Sequence, residues 1–481
     1  MHFRPLPVEV LYLILDEVIL GRDFCSLKTI SMVSKTFRPL CRKHLFRRIV
    51  LTFASDRHYA QNSRDKPSSF LEFAAFLISN PHILKSVRKI VLRDISGISS
   101  WNSHLTDIYP GTGCNFAPDD VHLPTSTLVV HPYPTHTHAH PKWDTIAGPL
   151  AQILGSLEHL QALEIRSELE LDWTTFDAQV KDAIYSLLAR PSCGAASVLL
   201  AALHNVRDRD LLEFVKHCGD LTLANVRFSL RGLRRNVALG GFWKDGIEMH
   251  EEGDSDGDDD IAPRLLVQEI DGQPPAALHK LRLGRQVGVD AVDWLSHHPA
   301  SLVGVKHLTM ESLSAAVPVS DCWSFAQGTR SSLEHLEWWL EDLAFREQSD
   351  ALALKQIDLS LLPHLRSFTI RSSQSGQLVN LMVILEATGA TNTIETIRIV
   401  MPTNIDKFIA FRPSAVWKRI DSAFGSARFQ KRLRQVALSF AWTNQPMLQS
   451  SLSALFAAFK KNLPSLRGKD LTVDQRRACL F

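Results

Sequence analysis

Five histidines crowd one stretch of the chain: His122, His131, His136, His138 and His140. Alternating imidazoles are potential zinc or nickel ligands, but structural zinc sites take theirs from separate, well-held elements with hydrogen-bonding support behind them. Here the flanks are Pro and Thr, and no metal site is expected. Asp254-x-Asp256-x-Asp258 opens like a calcium loop, yet such a loop needs Gly at its sixth and Glu at its twelfth position. This chain has Asp259 and Leu265 there, so the run reads as a solvated acidic segment, with Ser255 a candidate for phosphorylation. GxSxG, GxxxxGK[ST], HExxH and GxGxxG are all missing, and Gly240-Gly241 and Gly111-x-Gly113 lack the strand–turn–helix context that gives glycines a phosphate to hold. No catalytic residue and no cofactor are expected. A basic cluster, Arg38, Arg42, Lys43, Arg47 and Arg48, could touch phosphates. A recognition helix needs polar base-reading residues on one face, whereas this one spends its best face on apolar contacts. Basic residues near a helix C-terminus also meet its dipole favourably. A nucleic-acid partner is not expected.

The elements that carry these residues belong to an ordinary globular composition. The chain has 481 residues, 45% of them hydrophobic, and a formal net charge of +2. That apolar share can bury a sizeable core, and the near-neutral balance lacks the basic excess of a dedicated nucleic-acid binder. The seven cysteines are scattered with no CxxC pair, which suits free thiols in a reducing compartment. The N-terminal apolar run is broken by Glu9, Asp16 and Glu17, unlike a signal-peptide core. No stretch approaches the roughly 18 apolar residues of a membrane span. An intracellular location, cytoplasmic or nuclear, is expected, with no membrane partner.

Residues 1–50 read as three short helices. The first opens at Leu6-Pro7 and is apolar on more than one side, through Val8, Leu11, Leu15 and Val18 and through Val10, Leu13 and Ile14. The second, capped by Asp23, carries Phe24, Leu27, Ile30 and Val33. The third, capped by Ser34, carries Phe37, Leu40, Cys41, His44 and Leu45 on one face. So small a unit offers few internal partners to a helix that is apolar nearly all round. The surplus calls for packing on the rest of the chain or on another protein.

From about residue 51 to 481 a different rhythm runs: an amphipathic helix, a Pro or Gly stop, then a strand written LxxLxL. It recurs at Val87, Leu160, Leu278, Val305, Leu333, Leu365, Ile394 and Leu433, with Leu221-x-Leu223 the clearest extra strand. The anchors of the second half lie about 30 residues apart, close to the 20–29 of a leucine-rich repeat. The expected fold is α/β, a small helical unit followed by a leucine-rich-repeat-like solenoid with a parallel concave sheet. Two insertions interrupt it, the His/Pro-rich 100–143 and the acidic 244–263, both read as disordered loops. Side chains alternate across a strand, so Glu164, Arg166, Arg282, Thr309, Glu311, Thr369, Ala437 and Ser439 are expected on the concave surface, and among them Glu337, Trp339, Glu341, Arg371 and Arg398 as candidate substrate-binding residues. Trp338 is expected inward and Trp339 outward, as a hot spot or covered by a neighbouring loop.

Leu6-Pro-Val-Glu-Val-Leu-Tyr-Leu-Ile-Leu15, followed by Asp23-xxx-Leu27-xx-Ile30-Ser-x-Val33-Ser-Lys-x-Phe37-Arg38, resembles an F-box. The run Leu40-Cys-Arg-Lys-His-Leu-Phe-Arg-Arg-Ile49 resembles the exit of fungal F-box proteins that continue with irregular leucine-rich repeats. The likeness covers about a tenth of the chain; Val10 stands where Leu is common and Phe37 where Trp often sits. It implies a substrate receptor of a cullin-based ubiquitin ligase. A Skp-family adaptor, and through it a cullin, would be bound by Leu6, Pro7, Leu11, Ile14 and Leu15, with Leu27 and Val33 in support, and a target protein by the repeats. A solenoid scaffold outside ubiquitin conjugation and an unrecognised hydrolase are the competing expectations.

Overall fold

The fold comes from a computed structural model that describes residues 10–53 (except 11, 14, 16, 19–23, 34 and 36), 70–94, 143–193, 196–228, 278–284, 287, 289–298, 302–311, 317–340, 353–372, 378–402, 414–442 and 449–477. Leu6, Pro7, Leu11, Ile14, Glu341, the side chain of Val33, the acidic run and the His/Pro-rich stretch up to residue 142 lie outside the described residues.

Among the described residues twelve strands form a single sheet: β1 Arg48–Phe53, β2 Lys89–Asp94, β3 Ala162–Asp172, β4 Ser197–Val206, β5 Asp220–Phe228, β6 Lys280–Leu283, β7 His307–Met310, β8 His335–Leu340, β9 Ser367–Ser372, β10 Thr396–Pro402, β11 Gln435–Trp442 and β12 Asp470–Arg477. Their order in the sheet is their order in the chain, and every neighbouring pair is parallel. Helices such as Ala178–Leu188, Val319–Gly328 and Ala415–Gly425 make the returns that parallel pairing requires. The architecture is α/β.

The LxxLxL spacing explains this order. Leu281, Leu308, Leu336, Phe368, Ile397 and Val436 stand side by side in register across β6–β11, all buried. The apolar residue three positions earlier in each motif is buried too, from Leu278 to Leu433. Just before most strands one carbonyl accepts two N–H groups from the next unit. Lys306 O takes those of Glu334 and His335 at 2.9 Å, and Glu334 O takes those of Arg366 and Ser367 at 2.8 and 3.0 Å. Each unit thus completes its predecessor, as in a one-dimensional array.

Three strands escape the sequence reading. β1 (Ile49-x-Leu51-x-Phe53) follows the third helix so closely that it reads as its exit, β4 is preceded by small Ala196, and β12 ends in Asp-Gln-Arg-Arg. β4 and β5 also shift phase together. Ala202 (φ 55°) and Asn225 (φ 51°) are left-handed between the in-register pairs Ala201–Ala224 and Leu203–Val226. The shift turns Leu203 and Val226 into the core after Leu200 and Leu223. Asp177 caps the helix Ala178–Leu188 by accepting from Gln179 N, while Asp172 accepts from Thr174 N.

Near the N-terminus, Phe24–Val33 and Arg38–Leu45 are helices, and positions 10, 12, 13, 15, 17 and 18 are helical. Leu15, Leu27, Phe37 and Cys41 form a small core of their own, with Val18, Ile30, Leu40 and Leu45 against it. It is distinct from the main core, which runs from Ile49 to Leu466.

Candidate functional site

Two surfaces carry the residues singled out by the sequence. The first lies on the sheet face turned away from the core anchors. In register across β6–β10 stand Arg282, Thr309, Glu337, Thr369 and Arg398. Trp339 and Arg371 pair in the next row, on β8 and β9. Adjacent strands are about 4.8 Å apart, so side chains some thirty positions apart in the chain meet here.

Arg371 lies over Trp339, its guanidinium carbon 3.3 Å from the ring centroid. Glu337 accepts from Trp339 Nε1 at 3.1 Å and lies 3.9 Å from Arg371. Trp339 is half-buried, covered by an arginine of the same sheet; cation–π contacts of this kind contribute about 0.5–2 kcal/mol. Trp338 faces inward as expected and is buried.

Glu311 departs from expectation. Alternation along the strand places it on the exposed face, but its side chain is only 4% exposed and pairs with Arg282. Burial raises its carboxyl above the ordinary glutamate value, and Arg282 and then Arg371 pull it back toward ionisation. Ala437 and Ser439, expected on the surface, are also buried. Both are small residues of β11, and Arg398 of β10 and Asp474 of β12 approach to 3.9 Å across them. So Glu337, Trp339 and Arg371 come together, Arg282 and Glu311 join them, and Arg398 sits in the same row but pairs toward β12.

The strand starts carry a second ring contact: His307 and His335, in register on β7 and β8, stack with parallel planes and centroids 4.2 Å apart. Burial holds both imidazoles below their ordinary value. For His307, His335 and Lys280 add to the effect against Glu334 and Asp220; for His335, Arg366 adds to it against Glu334. The folded chain therefore binds fewer protons than the unfolded chain just below pH 6.5, and stability should fall as pH drops from about 6.5 through the lowered values. The loss of urea midpoint between pH 7.5 and pH 5 should be smaller in His335→Gln than in the parent. An equal loss in both proteins would remove the pair as its source.

The second surface is the N-terminal unit. Leu15 and Leu27, implied as adaptor contacts, are buried in its core; they hold its helices together. Among the described residues its exposed apolar side chains are Leu13 (66% exposed), Met32 (63%), Val10 and Tyr12, whose ring packs edge-on with Phe37 at 5.7 Å between centroids. Sequence reading had placed Leu13 on an apolar side, but Met32 had drawn no notice.

A third polar cluster escaped the sequence because helix packing assembles it. Lys181 is nine-tenths buried with its ammonium 5.2 Å from the Trp173 ring, and Tyr185 Oη donates to Asp210 at 2.8 Å. Burial pushes the Lys181 amine down, countered mainly by Asp210.

Among the described residues no three His, Cys, Asp or Glu side chains gather as a metal site needs, and no helix is long and apolar enough to cross a membrane. No protein-family model matches the chain, and no curated protein matches it in sequence.

Proposed function

We propose that this chain is the substrate-receptor subunit of a Skp–cullin–F-box ubiquitin ligase, an intracellular protein with no catalytic residue of its own. One observation carries the reading. The N-terminal unit closes a private core around Leu15, Leu27, Phe37 and Cys41 while Val10, Tyr12, Leu13 and Met32 stay exposed, on the stretch whose sequence resembles an F-box. Apolar side chains displayed beside a completed core suit a second polypeptide. In this reading the strand array is a leucine-rich-repeat-like solenoid with its sheet on the concave side. Trp339, Arg371 and Glu337 form the centre of the target surface, with Arg398 at its margin. Only Phe46 and Arg47 separate the helix Arg38–Leu45 from β1, so the adaptor-binding unit and the target surface would move as one piece. Catalysis is then by proximity, since holding a target beside a ubiquitin-loaded enzyme raises the effective concentration of its lysines.

The test is co-purification with a Skp-family adaptor. Leu6→Ala combined with Leu11→Asp, and separately Leu13→Asp combined with Met32→Asp, should abolish the complex and leave the melting of the strand array unchanged. Adaptor retained at parental yield by both double variants would sink the proposal.

A further inference from the structure

We infer that the junction between the N-terminal unit and the sheet is a docking surface for an acidic peptide segment with apolar anchors, presented by a partner protein. Arg42, Lys43, Arg47 and Arg48 fall within seven residues and are all exposed, and none has an acidic partner among the described residues. Several exposed cations elsewhere in the fold are paired. Lys85 pairs with Glu158 at 3.3 Å, Lys306 with Glu334 at 3.2 Å, and Arg419 with Glu386. In a chain whose net charge is only +2, four uncompensated cations in one place are a local polarisation and not a general basic excess.

Beside them lies exposed apolar surface. Phe46 caps the basic helix, its N–H donating to Arg42 O at 2.9 Å, and its ring is 6.4 Å from that of Phe76. Phe76 is 43% exposed on the helix Phe70–Ser79, where Leu71 is exposed as well. Glu72, one turn before Phe76, is the acid on this helix face.

Cations bordering apolar side chains complement a peptide in which carboxylates flank Leu or Phe. The ring of Phe76 already stacks on Phe73, with planes 14° apart. One face of the ring is thereby taken by a neighbouring side chain, which leaves less of it for a base and favours polypeptide over single-stranded nucleic acid. The inference stands apart from adaptor binding, because none of these residues belongs to the exposed group Val10, Tyr12, Leu13 and Met32.

The experiment uses the full chain, without adaptor, and a labelled synthetic peptide in which Glu pairs alternate with Leu and Phe. Fluorescence anisotropy should show saturable binding that weakens as salt rises and the Debye length shrinks below about 10 Å. Lys43→Glu with Arg47→Glu should weaken it at least about tenfold and flatten the salt dependence, and Phe76→Ser should weaken it with the salt dependence kept. Should charge reversal impair folding, Arg42→Gln with Arg48→Gln serves in its place and should weaken binding in the same direction. Leu6→Ala with Leu11→Asp should bind the peptide as the parent does, whatever becomes of the adaptor. No binding of the peptide, unchanged binding by the charge variants, or tighter binding of a DNA oligonucleotide of equal charge would each overturn the inference.

Discussion

Arg282→Ala is expected to cost the fold about 2–4 kcal/mol, and to cost more at pH 8 than at pH 5. Removing one partner of a buried ion pair leaves an uncompensated charge, a loss near 3–5 kcal/mol where burial is complete. Arg371 still faces Glu311 and Arg282 is partly solvated, hence the lower figure. The pH dependence follows from the direction of the Glu311 shift. Burial holds its folded value above the ordinary 4.5, so the folded state keeps a proton that the unfolded state has released. That contribution is present at low pH and is lost as pH rises through the raised value. Without Arg282 the carboxyl rises further, and acid conditions relieve the variant more than the parent. Urea unfolding at the two pH values reads this directly; a pH-independent deficit would show that Glu311 is not the group left stranded. Replacing both residues, Arg282→Met with Glu311→Leu, should return stability to near that of the parent, because apolar packing commonly substitutes for a buried pair.

Phe368→Ala should be the most damaging single truncation of the core, at about 3–5 kcal/mol. Phe368 is fully buried in β9, in register with Leu336 on one side and Ile397 on the other. Each unit leans on its neighbours, so a cavity here weakens two interfaces of the array at once. Thermal unfolding followed by circular dichroism should show a lowered midpoint and a broadened or split transition, with the two halves of the array parting at β9. A single sharp transition within 1 kcal/mol of the parent would mean that the interfaces on either side of β9 are not coupled through this ring.

Much of the fold was legible because an LxxLxL segment can bury its anchors in only one way. Alternation turns one set of side chains inward, and the helix before it supplies the cover. Nine of the strands announced themselves so, and Trp338 and Trp339 were correctly assigned to opposite sides of β8. The strands that escaped did so for local reasons: β1 follows a helix too closely, Ala196 ahead of β4 is a weak anchor, and β12 ends in charged residues.

The candidate site was legible only as an inventory of side chains. Spacing placed Arg282, Glu311, Glu337, Trp339 and Arg371 on one face, but said nothing of which would touch. Glu311 became a buried partner of Arg282 because strands 29 residues apart in the chain lie side by side. Ser439 lost its exposure because larger side chains on β10 and β12 close over it. Leu15 and Leu27 turned into a private core, while Leu13 and Met32 were left outside. The period, the inward face of the LxxLxL anchors and the clustering of cations at Arg42–Arg48 are all readable from the order of the residues. The tertiary structure alone decided which charges are paired, because pairing depends on distances across strands that no local pattern encodes.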